Sequence, residues 1–107
     1  MNSPHTHPRA TEFLFVVNGT TMEAGFIEEN GARFVINTLT PGQGAIFPKG
    51  SIHYQINTGC DPLTFVAGLN DEDPGVNQIA QRCKFLKVVY CFECPLTTGL
   101  DSLRSPT

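Results

Sequence analysis

At 107 residues the chain has room for one domain, since typical domains run to about 100–150 residues and smaller cores lose their surface-to-volume advantage. A net charge of −3, with seven Lys and Arg scattered singly, leaves no positive stripe that could neutralise a phosphate backbone, which argues against nucleic acid as a partner. No apolar run approaches the ~20 residues needed to span a bilayer, and the opening Met1-Asn2-Ser3-Pro4-His5 lacks the apolar core of a signal peptide, so neither a membrane nor an export address is expected from the chain itself.

In chain order, Glu12-Phe13-Leu14-Phe15-Val16-Val17 is apolar on both faces after Glu12 and predicts a strand buried between two layers. Asn18-Gly19 predicts a hairpin, with a second strand near Thr21–Glu28. Asn30-Gly31 marks the next reversal, Arg33–Thr40 the third strand, and Pro41-Gly42-Gln43-Gly44 a tight turn into Ala45–Pro48, giving a meander of regularly spaced strands. Ser51–Asn57 alternates Ile52, Tyr54 and Ile56 against His53, Gln55 and Asn57, so His53 shares a face with polar groups. Leu63–Leu69 is one more strand, and strands at this spacing predict an all-β sandwich or closed barrel. Asp73-Pro74-Gly75 then offers a helix start, giving a short helix over 75–82.

The chain holds three histidines. His5 and His7, two apart on an extended segment, leave the same face, and Glu12 opens the following strand within reach of them. With His53 these form a three-His, one-Glu set suited to a divalent first-row metal with coordination positions left over for substrate or oxygen. His-x-His alone is a weak pattern, because an isolated histidine near a terminus is usually a solvated residue. Cys83, Cys91 and Cys94 lack the second close pair that makes a zinc pattern strong. The four cysteines allow three pairings into two disulfides, without a sign of the oxidising compartment these need. Asn18-Gly19-Thr20 is an N-glycosylation acceptor or a plain turn.

Taken together, the spacing is His5-Thr6-His7, four residues, Glu12, six residues, Gly19, then Gly44, three residues, Pro48-Lys49-Gly50, two residues, His53, three residues, Asn57. This resembles both sequence boxes of the germin family, which includes fungal and slime-mould spherulin-like members. The resemblance covers about residues 4–82. It implies a cupin jelly-roll barrel with manganese held by His5, His7, Glu12 and His53. It also implies either a redox enzyme acting on a small carboxylate such as oxalate or on superoxide, or a non-catalytic storage or cell-wall protein. Secretion and a homo-oligomer are further expectations of the family.

Relatives carry barrel strands before the first histidine, so the resemblance predicts a partial cupin domain over 1–82, incomplete at its N-terminus. His5 and His7 are then expected at a fraying end, and the apolar faces of Phe13, Phe15, Val17, Phe34, Val35 and Ile36 are expected to lack cover. Residues 83–107 match nothing in the family pattern and are expected to be a separate tail, or the chain an inactive gene-model fragment.

Overall fold

A computed structural model describes residues 1–79. Among the described residues there are eight strands: β1 (Asn2–Thr6), β2 (Glu12–Asn18), β3 (Met22–Ile27), β4 (Val35–Leu39), β5 (Gly44–Phe47), β6 (Ile52–Asn57), β7 (Thr64–Leu69) and β8 (Asn77–Gln78). They form a five-stranded sheet in the order β4-β3-β6-β1-β8 and a three-stranded sheet in the order β5-β2-β7. The all-β, jelly-roll-like architecture expected from the strand spacing is present.

Between the sheets, alternate residues of each strand turn inward. Leu14 and Val16 of β2 meet Met22 and Ala24 of β3, Leu39 of β4 and Phe47 of β5, and Phe26, Ala45, Leu63 and Phe65 pack around this cluster. The Phe26 and Phe47 rings meet edge to face, 6.1 Å between centroids, an arrangement aromatic quadrupoles favour.

Several expectations are corrected. Asn18-Gly19 does not close a hairpin: β2 and β3 lie in different sheets, so the turn carries the chain across the sandwich and sets Met22 and Ala24 opposite Leu14 and Val16. Gly19 has φ +126°, and a Cβ there would stand 2.8 Å from the Leu63 backbone, so this crossing needs glycine. The meander is likewise limited, among the described residues, to β3 and β4, the one pair of consecutive strands that are neighbours in a sheet. Third, Asn77–Gln78, placed in the expected helix, pairs as a strand with β1 (His5 with Gln78, Thr6 with Asn77). Helical conformation starts at Ile79, the last described residue. The rest of the expected helix and the cysteine-rich tail lie outside the described residues. Cys60, between β6 and β7, is disulfide-bonded.

Nor does the first strand fray. β1 sits inside the five-stranded sheet, between β6 and β8, and His5 is only 2% exposed. Two neighbouring strands satisfy its backbone, which a terminus free in solvent would leave to water. Of the residues expected to lack cover, Phe13, Val17, Phe34 and Ile36 are exposed, while Phe15 and Val35 are half-buried; the expectation that β2 is buried between two layers is corrected. Strand β2 buries one face only; on the other, Phe13 is 50%, Ile46 60% and Val66 57% exposed. Phe34, just before β4, and Ile36 on β4 of the five-stranded sheet are also exposed.

Candidate metal centre

His5 and His53 face each other across the β1–β6 pairing, so the two imidazoles leave the same side of the five-stranded sheet. Glu12 opens β2 in the opposite sheet, at the register of Phe47 and Leu69, with the inward parity of Leu14 and Val16. His7 lies one residue beyond β1, in the connection to β2. One nitrogen from each histidine and one Glu12 oxygen lie within 4.8 Å of one another. Ligand atoms bound at about 2.0–2.6 Å to one ion are no more than about 5 Å apart, so the cluster has the size of a single-ion site.

Its hydrogen bonding is specific. The Nδ1 of His5 lies 2.7 Å from the Ser3 carbonyl, that of His7 2.6 Å from the Gly75 carbonyl, and that of His53 3.0 Å from the Ser51 carbonyl. A carbonyl accepts only, so each Nδ1 carries the proton and donates it, and each neutral ring turns the lone pair of Nε2 away from that anchor. The Nε2 atoms of His7 and His53 stand 3.0 and 3.1 Å from Glu12 Oε2. Two nitrogen lone pairs facing a carboxylate oxygen at that range repel unless a cation lies between them or both rings take a second proton. Anchoring of the far nitrogen by a carbonyl is also the usual outer contact of metal-bound histidine.

The site is nearly dry. Glu12 and His53 are buried, and the ring of Phe47 stacks on that of His53, 4.4 Å between centroids and 14° from parallel. Burial is the largest influence on His5 and lowers its pKa; the Ser3 carbonyl bond opposes it, His53 and His7 add further lowering, Glu12 raises it slightly, and the net shift is downward. Burial alone would push the Glu12 carboxyl up, but when the rings carry a second proton, the alternative to a bound cation, the His53 hydrogen bond and the three surrounding histidines bring it below the ordinary carboxylate value. Both groups bind protons less readily folded than unfolded, so their contribution to stability is present at high pH and lost on acidification: from about 6.5 downward for His5 and from about 4.5 for Glu12. The metal-free chain is therefore expected to show a lower urea midpoint at pH 5 than at pH 7, and an equal midpoint would contradict this electrostatic reading.

The structure brings all four sequence-predicted residues together. Sequence reasoning missed their orienting partners. Two of these were legible: Ser3 and Ser51 stand two residues before His5 and His53, the strand repeat that places a carbonyl beside the ring. The Gly75 carbonyl comes from 68 residues away and left no local signal.

The Cupin family model matches residues 1–88. Over 80 residues, three-quarters of this chain, the sequence is 52% identical to Spherulin-1A of Physarum polycephalum, covering 32% of that protein. It is 46% identical to germin-like protein subfamily 1 member 17 of Arabidopsis thaliana over 74% of this chain and 36% of that one. An oxalate oxidase structure superposes with a TM-score of 0.69 at 29% identity, covering 73% of this chain and 39% of that chain. The chain thus spans about a third of the length of the curated relatives it matches. A jelly-roll that gathers three histidines and a glutamate between its sheets, with these matches over most of its length, identifies the chain as a member of the cupin family, among its germin- and spherulin-like proteins.

Proposed function

We propose that this chain holds a manganese ion at His5, His7, Glu12 and His53, and that the protein it represents is a secreted redox enzyme acting on a small carboxylate of the oxalate class or on superoxide. The observation that carries the reading is the set of three Nδ1 anchors, which leaves three imidazole lone pairs and one carboxylate pointing at a common centre. Mixed imidazole and carboxylate donors suit a divalent first-row ion, and four protein ligands would leave coordination positions open for a small anion or oxygen. Bound there, manganese would supply Lewis acidity and a one-electron couple.

The chain's own residues do the positioning. The backbone carbonyls set the tautomers, Glu12 supplies the negative charge that favours a cation, and Phe47 covers His53 against water. The similarity to oxalate oxidase supports the substrate class. The bare outer face of the three-stranded sheet is the surface proposed to pack in a homo-oligomer.

The test is manganese titration of the purified chain, followed by electron paramagnetic resonance, with oxalate oxidation and superoxide dismutation assayed on the loaded protein. About one ion bound per chain is expected. A chain that leaves manganese free in solution at neutral pH would sink the proposal. One that binds but turns over neither substrate would leave a non-catalytic metal protein.

A further inference from the structure

We propose that Arg9 is a positioning residue for the metal site, acting through the Asp73–Gly75 loop to aim His7. The inference rests on the manganese reading above and adds how its most weakly held ligand is kept in place. His5, Glu12 and His53 sit on strands whose ladders fix them. His7 does not; it follows the end of β1, and of the two histidines paired with Glu12 its side chain is the more exposed (15%, against 2% for His53). Its carbonyl accepts from the Gly50 N–H at 3.0 Å; its ring lies against Glu12 and the other two histidines on the metal side, and on the far side its Nδ1 donates to the Gly75 carbonyl at 2.6 Å. That last contact is the outer one that fixes the tautomer and aims Nε2 at the site.

Arg9 grips the segment that bears that carbonyl in three places. Its backbone N–H donates to the Pro74 carbonyl at 3.2 Å, its Nε to the Asp73 carbonyl at 2.6 Å, and its Nη2 to Asp73 Oδ1 at 3.1 Å. Gly75 is tucked beneath it: φ is +69°, and a Cβ would fall 2.6 Å from Arg9 Nη2 and 3.1 Å from Pro8 Cγ. The residues just after the ligand thus fasten the loop that returns to orient it, closing a ring His7–Pro8–Arg9–Asp73–Gly75–His7. The guanidinium fork reaches a main-chain and a side-chain oxygen of one residue together, a geometry that an ammonium does not reproduce. The Arg9–Asp73 pair is solvent-exposed on both sides, so it adds little to overall stability. Its effect is on where the Gly75 oxygen sits.

Loss of such an outer partner typically costs 10–100-fold in metal affinity, and one step further out the lower end applies. Arg9→Gln is therefore expected to weaken manganese binding about tenfold, to reduce the histidine-nitrogen coupling in the pulsed spectrum of the bound ion, and to leave the metal-free urea midpoint nearly unchanged. Asp73→Ala, which releases only the Nη2 contact, is expected to move affinity in the same direction by less. In a His7→Ala background Arg9→Gln should add nothing, because residues acting through one group are not additive. Wild-type affinity in both Arg9→Gln and Asp73→Ala, or losses that simply add to that of His7→Ala, would overturn the role of Arg9. Those results differ from failure of the metal reading, in which the unmodified chain itself does not bind manganese.

Discussion

Replacing His53 with alanine is expected to lower manganese affinity by more than the roughly 100-fold upper range for loss of an outer-shell partner, because a ligand is removed. His53 is the one ligand from the second sequence box, so its loss tests whether the far part of the chain completes the site. It is 2% exposed and stacked on Phe47, so alanine also leaves a cavity and could lower stability for reasons unrelated to metal. Glu12→Gln separates the two effects. It keeps the shape of the side chain but replaces one acceptor oxygen with an amide donor and removes the charge that makes a cation welcome, and it should lose binding with a smaller change in the metal-free unfolding midpoint. Titration calorimetry of both variants beside the unmodified chain reads the result. Tight binding in either one would mean that the ion, if bound, sits elsewhere.

The second large effect is on the fold. Phe47→Ala is expected to destabilise the chain by about 3–5 kcal/mol, the usual range for truncating a buried phenylalanine. Phe47 is among the most buried large side chains, and it touches both the Phe26 ring and the His53 ring. Against total stabilities of about 5–15 kcal/mol for single domains, that loss populates the unfolded state under mild conditions. Urea unfolding is the measurement: the midpoint should fall with the slope unchanged. Phe47→Leu, which keeps most of the volume, should cost much less. If alanine were as stable as phenylalanine, Phe47 would not be the joint between core and site that its packing indicates.

The strands from Glu12 to Leu69 were legible because each is a short apolar or alternating run bounded by turn residues, although the apolar run after Glu12 hid that only one of its faces is buried. The four candidate ligands were legible because three fall within eight residues and the fourth lies on the polar face of an alternating strand. Pairing was not. Nothing near Asn18-Gly19 tells whether the next strand lies beside β2 or across the core from it, since an inward apolar face serves either arrangement. The strand pairing of Asn2–Thr6 was hidden for a similar reason. Its partners, β6 and β8, are about fifty and seventy residues away, and a Pro and two His in five or six residues do not look like a strand that would be inserted between them. The two helical residues expected at 77 and 78 were lost to this long-range pairing, which overrides a local Pro-Gly signal.

One placement reaches beyond chemistry. His5 and His53 belong to one sheet and Glu12 to the other, so an ion held by all of them is a rivet through both layers of the sandwich. Prising the layers apart and releasing the ion then become a single event. The rate at which a chelator strips the metal would be a clock for how often the two layers breathe open, and anything that clamps the layers, whether a mutation, an osmolyte or a neighbouring subunit, would slow that clock without touching a ligand.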